Sequence, residues 1–176
     1  MGSSRYLTPL ALALALPLGA GAQTLTYPDF SDVSGLQLNG AAAQSGSRLR
    51  LTPADFGQGG SAFSLQRILL QGNSSFSTVF SFEILNRGGL ANGADGLTFT
   101  IQTNASTVGG GGGGIGYDGI PNSMAVEFDT FDNGETGGSN HVGINLNGSM
   151  NSVASTAELP VDFDNGAVWW AWIDYN

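Results

Sequence analysis

The chain has 176 residues, no cysteine, no lysine and a formal net charge of −9. It therefore has no disulfide framework and no basic surface to neutralise phosphates, which excludes nucleic acid and anionic membranes as partners. Its 28 glycines and 10 phenylalanines, with only 11% charged residues, favour many short strands joined by turns over helices.

In chain order, Arg5 precedes an apolar run over residues 7–18, and Ala20-Gly21-Ala22 follows as a small-residue cleavage site. That order predicts a secretory signal peptide at residues 1–22, cut after Ala22, and hence an extracellular protein. Pro9 and Pro17 interrupt the run, which also falls short of the ~20 apolar residues a spanning helix needs, so no membrane insertion is expected. Residues 23–176 are predicted to form one domain.

Period-two alternation then marks the strands. Phe76, Thr78, Phe80, Phe82 and Ile84 share one face; Leu97, Phe99 and Ile101 alternate with Thr98, Thr100 and Gln102; Val142, Ile144 and Leu146 alternate with His141, Gly143, Asn145 and Asn147. Such runs, bounded by Gly, Asn and Pro, read as half-buried antiparallel strands of an all-β sandwich or jelly roll. Between them lie turn-rich segments at 86–95, 107–119 and 133–140, the second holding six consecutive glycines, 109–114. A long segment of this kind inside one domain reads as a binding loop rather than a linker. The aromatic stretch 168–175 (VWWAWIDY) predicts a last strand whose tryptophans mostly pack in the core, with Trp169 and Trp172 on opposite faces. A strand this apolar needs a neighbour at its edge, so further C-terminal strands are expected beyond it.

The chemistry concentrates in residues 123–149. Met124, Val126 and Phe128 point one way from their strand, and Ala125, Glu127 and Asp129 the other. The two carboxylates stand roughly 6.5–7 Å apart on one sheet face. Burying like charges that close costs several kcal/mol unless something positive sits between them. The following loop offers Asn133, free turn carbonyls and Glu135, and the next strand opens on His141, the single histidine. Carboxylates, an amide oxygen and a carbonyl suit calcium; an imidazole suits a transition metal such as manganese.

AVEFDTFDN followed by NHVGINLNGS resembles the metal-binding signature of legume-type lectins, the concanavalin A-like family. GADGLTFTIQ is similar to that family's strand carrying the sugar-binding aspartate, GGGGGGIGYDG to its glycine loop and WWAWIDYN to a later strand. The resemblance runs in order from Phe76 to Tyr175. It implies a concanavalin A-like sandwich that binds glycans or glycoconjugates in a calcium-dependent way, without catalysis, with homo-oligomers formed through the back sheet. Residue by residue, it implies that Glu127, Asp129 and His141 ligate the transition metal, and that Asp129, Asn133 and the Phe131 carbonyl ligate calcium. It further implies sugar contacts from Asp95, Asn133 and a backbone amide at Gly113 or Gly114, and a cis bond before Asp95. The Phe131 ring is a candidate to stack on an apolar sugar face. Thr136 stands where the family has a second loop aspartate, and Glu135 is the stand-in. The family's monosaccharide-specificity loop falls beyond residue 176.

Two rival readings use the same residues. Glu127, Asp129 and Asp132 form E-x-D-x-x-D, close to the carboxylate pattern of glycoside hydrolases sharing this jelly roll, although that mechanism leaves Asn133 and His141 without a role. A structural or adhesin module would keep the metal only to stabilise its loops, and would not require Asp95 to face an open site.

Overall fold

The computed structural model describes residues 23–70, 72–87, 93–107 and 109–176; the expected leader at 1–22 lies outside them. The described residues form ten strands and one short 3-10 turn. Strands β1 (Leu36–Gly40), β2 (Ala43–Ser45), β3 (Arg48–Arg50) and β4 (Gly60–Ser64) lead to β5 (Phe76–Phe82) and β6 (Gly96–Gln102). After the turn at Gly112–Gly114 come β7 (Ser123–Asp129), β8 (His141–Leu146), β9 (Ala154–Ser155) and β10 (Trp169–Tyr175). Every pairing is antiparallel, in sheets ordered β6-β7-β8-β9, β10-β5, β1-β4 and β2-β3. No helix of the described residues is long and apolar enough to cross a membrane.

β7 is the centre of the architecture, because both its faces are buried. On one side Val126 and Phe128 meet Phe80 and Phe82 of β5, Ala171 and Trp169 of β10, and Phe163 from the β9–β10 connection. Here Phe128 sits 4.9 Å from Phe82 and edge-on to Phe163 at 5.8 Å. This is the expected sandwich core, the sheets meeting through large apolar and aromatic side chains. On its other side Ala125 is covered by Tyr117 and Ile120, which follow the glycine run, with Met150 beside them. The glycine-rich segment is thus folded onto the sheet rather than strung out as a tether.

Two expectations about burial change, although the alternation of faces, including Trp169 and Trp172 on opposite sides, is as expected. In β8 the polar face is the buried one: His141, Gly143 and Asn145 are enclosed, whereas Ile144 and Leu146 are 40% and 42% exposed. The facing sheet has two strands against four, so it covers Val142 and leaves the far end of β8 open. In β10 only Trp169 of the three tryptophans packs inward, with Ala171 and Ile173. Trp170 and Trp172, paired across the ladder with Ser81 and Val79, lie on the outer face and are 57% and 70% exposed.

Phe128 is the residue through which the two sheets and the 163 connection meet. Phe128→Ala is expected to lower unfolding free energy by about 3–5 kcal/mol, seen as a lower urea midpoint with an unchanged denaturant slope.

Candidate functional site

Strand alternation delivers Glu127 and Asp129 to the face of β7 away from the aromatic core, and the antiparallel register sets Asp129 directly opposite His141. All three side chains are enclosed, with exposures of 0%, 2% and 0%. Each carboxylate oxygen of Glu127 is engaged. Oε1 faces His141 Nε2 at 3.1 Å and the Ser152 hydroxyl at 2.6 Å, while Oε2 accepts from Asn145 Nδ2. Gly143 sits over this carboxylate so closely that a Cβ there would come within 2.1 Å of Oε1. Only glycine fits the pocket wall.

The histidine geometry carries a charge argument. His141 Nδ1 lies 2.9 Å from the Gly138 carbonyl, which can only accept, so Nδ1 holds a hydrogen. In a neutral imidazole Nε2 then presents a lone pair, and here it faces the Glu127 carboxylate. Two acceptors in contact require a proton or a metal ion between them.

Asp129, Glu135 and His141 each bring a ligand atom within 4.8 Å of the other two. Glu135, the expected stand-in one position before Thr136, thus reaches the cluster. Its Oε1 is buried and has no hydrogen-bond partner, an orphan that a cation would satisfy. Burial, helped by the neighbouring Glu135 and Glu127 and opposed by the Phe131 amide and His141, pushes the Asp129 carboxyl up to about 7. An enclosed set of carboxylate and imidazole donors, one oxygen orphaned and one carboxyl resisting ionisation, fits a divalent cation.

The turn after β7 gathers the remaining predicted residues. Asp129 Oδ1 accepts from the Phe131 amide at 2.7 Å, and Asn133 Nδ2 lies 3.5 Å from the Phe131 carbonyl. Asn133 Nδ2 also donates to Asp95 Oδ1 at 3.3 Å, across 38 residues of sequence. The Asp95 carbonyl accepts from the Thr130 amide at 3.1 Å, and the Ala94–Asp95 peptide is cis. Gly113 completes the group, since a Cβ on it would meet the Asn133 amide at 2.9 Å. Gly114 does not join: it packs on Asp118, and its amide donates to Gly111 within the 3-10 turn. A depression of about 190 Å³ lies between Gly113, Asn133, Gly134 and Glu135 on one side and Met150 and Asn151 on the other. A larger cavity of about 450 Å³ borders the same turn through Thr130, Phe131 and Asp132 and extends to Arg87 and Asp164.

Asp132 is apart from the cluster. β7 ends at Asp129, and the Asp132 carboxylate is exposed and accepts from the Gly134 amide in a local turn. The E-x-D-x-x-D pattern therefore does not lie on one strand. Asn145, which is buried, and Ser152, which is half-buried, are partners of Glu127 that the sequence does not single out. Asn145 was available from its period-two spacing to His141, whereas Ser152 arrives through a turn that leaves no pattern.

With this geometry, the class of protein is an antiparallel β-sandwich whose loops converge on one polar site with donors suited to a cation. Residues 22–176 match the family Legume lectin domain, and the chain belongs to that family. A lectin of Leucomphalos mildbraedii is 34% identical over 180 residues, covering 89% of this chain and 72% of that protein. The basic agglutinin of Psophocarpus tetragonolobus is 41% identical over 101 residues, or 54% of this chain and 39% of the agglutinin. An L-type lectin-domain containing receptor kinase, VIII.1, of Arabidopsis thaliana is 36% identical over 110 residues, 58% of this chain but 15% of the kinase. Among solved structures, the metal-free lectin I-B4 of Griffonia simplicifolia superposes with a TM-score of 0.73 at 28% identity, over 86% of this chain and 73% of that one. The Bauhinia forficata lectin in complex with GalNAc gives 0.72 at 28%, over 86% and 72%. The concanavalin A-like, all-β antiparallel sandwich is thereby established.

Asp129 supplies a pH test. A carboxyl with a folded value of about 7 and an unfolded value of 3.8 keeps its proton in the folded state across pH 4–7 while the unfolded chain loses it. Stability therefore falls as pH rises through that window, by up to about 1.4 kcal/mol per pH unit. In chelator-treated protein, Asp129→Asn is expected to melt above the wild type at pH 7, the gap closing towards pH 4.

Proposed function

We propose that this chain binds saccharides non-catalytically at a site ordered by calcium. The observation that carries the reading is the contact between Asn133 and Asp95, with Gly113 against the same amide, beside an enclosed set of metal donors. Asp95 offers acceptors, Asn133 a donor, and the glycine loop a backbone that no side chain obstructs. Vicinal sugar hydroxyls, each both donor and acceptor, match such a mixed set. The relatives agree in kind: the Bauhinia forficata lectin is solved in complex with GalNAc, and a winged bean acidic lectin in complex with methyl-α-D-galactose.

In this reading Asp129, Asn133 and the Phe131 carbonyl would hold calcium, and Glu127, Asp129, Glu135 and His141 would hold a transition metal such as manganese. Bound cations supply the positive charge that the buried carboxylates need, and so fix the 129–133 turn against Asp95. Phe131 lies at the edge of this turn, half-buried, and is the ring proposed to meet an apolar sugar face. Gly113, rather than Gly114, is the proposed backbone contact.

The hydrolase reading finds little support. A glycosidase nucleophile must reach the sugar, and Glu127 is enclosed with both oxygens occupied. Export is the proposed setting, and the start of the family match at residue 22 supports treating the preceding residues as a leader. Self-association belongs to the same proposal: Trp170, Trp172 and Val79 form an exposed apolar patch on the outer face of the β10–β5 sheet, of the kind that marks a protein contact.

Asp95→Ala is expected to abolish retention on an array carrying galactose, GalNAc and mannose glycans, while leaving the melting midpoint within about 1 kcal/mol equivalent of the wild type. Retention equal to wild type would sink the site as drawn.

A further inference from the structure

Asp95 is held from the metal side by Asn133 and Thr130. A second support reaches the chain two residues before it, at Gly93, and contains none of the proposed metal ligands. Arg87 and Gly93 flank residues 88–92, and both meet Asp164, more than seventy positions further along the chain. Arg87 Nε donates to the Asp164 carbonyl at 2.9 Å, and Arg87 Nη2 pairs with Asp164 Oδ1 at 2.8 Å and with Asp162 Oδ2 at 3.2 Å. Gly93 packs on the other carboxylate oxygen, since a Cβ there would lie 2.9 Å from Asp164 Oδ2 and 3.6 Å from Arg87 Cβ. The guanidinium holds both the backbone and the side chain of Asp164 in a planar fork that a lysine cannot reproduce.

The segment leading to Asp164 is itself fixed by Asn140. Asn140, buried to 3% exposure, donates Nδ2 hydrogens to the carbonyls of Leu159 and Val161 and accepts from the Phe163 amide at 3.1 Å. Asn140 immediately precedes His141. Hydrogen bonds therefore run from the residue before the histidine to residues 159–163, and from Asp164 to Arg87, while Gly93, two residues before Asp95, packs against the Asp164 carboxylate.

We infer that Arg87 is a positioning residue: through Asp164 it braces residues 93–95 and presents Asp95 to Asn133 by a route independent of any cation. Its importance for saccharide binding rests on the function proposed above; the brace itself does not. The physical consequence is preorganisation. Asp95 is held near its working position before calcium arrives, so that less ordering remains to be done on binding. Asp164 is nine-tenths buried, and a fork of charge-assisted bonds to a buried carboxylate is stronger than an exposed ion pair.

The Thr130 amide reports directly on this placement, because it donates to the Asp95 carbonyl. Amide hydrogen exchange is measured by NMR on the whole chain, chelator-treated and without saccharide, comparing wild type with Arg87→Met, which keeps most of the aliphatic stem and removes the fork. Exchange at Thr130 is expected to speed up about tenfold, while Val126 and Ile144 in the sheet keep their rates. Arg87→Lys, retaining charge without the fork, is expected to recover only part of the protection, and 1 M salt to accelerate Thr130 in wild type but not in Arg87→Met. An unchanged Thr130 rate would overturn the inference, and so would equal acceleration at Thr130, Val126 and Ile144, which would mean general loosening. Because no sugar is present, the outcome decides the brace whether or not the chain binds glycans.

Discussion

The burial of two carboxylates on one face of β7 is the constraint on which the rest of the molecule depends. Glu127 and Asp129 are almost completely withdrawn from water, where ionised groups are tolerated only when paired, hydrogen-bonded or bound to a metal. The chain meets the requirement in part with its own groups. Asn145, Ser152 and His141 surround Glu127, and the Phe131 amide caps Asp129. What is left over is one orphaned oxygen on Glu135 and a lone pair facing a carboxylate. Both ask for positive charge at the same place.

The architecture follows from serving that site on one side and a solid core on the other. Val126 and Phe128 anchor β7 in the aromatic interior, so the strand cannot shift register without exposing them. That fixed register sets Asp129 opposite His141 and Glu127 opposite Gly143. Tyr117 and Ile120, just after the glycine run, cover Ala125, and the run itself brings Gly113 to Asn133. The rigid sheet thus carries Glu127, Asp129 and His141, proposed to hold the metal, and the loops around it carry Glu135 and the groups proposed to meet the ligand.

Much of this was legible in the sequence because it depends on period two. Glu127 and Asp129 sharing a face, the half-buried pattern of β5, and the proximity of His141 all follow from alternation and antiparallel pairing. The grouping of Asp95, Asn133 and the glycine loop was legible only through resemblance, since no local pattern links residues 38 positions apart. Where local pattern was trusted alone, it failed in an instructive way. Ile144 and Leu146 look like core and are not, because the opposite sheet is too narrow; Trp170 and Trp172 look like core and lie outside, because register puts them with Ser81 and Val79. The roles of Ser152, Asn140, Arg87 and Asp164 came from tertiary contacts that leave no periodic trace.

The central claim is that the enclosed donors form a real cation site that completes the fold of the loops. The most direct measurement is the thermal melting midpoint of the chain as calcium is titrated in, with and without manganese, and then removed by a chelator. A cation that binds only the folded state adds RT ln(1 + [L]/Kd), about 2.7 kcal/mol at a hundredfold excess over Kd. The account predicts a saturable, chelator-reversible rise in the midpoint. A protein that melts cooperatively at the same temperature with and without the cations would contradict it.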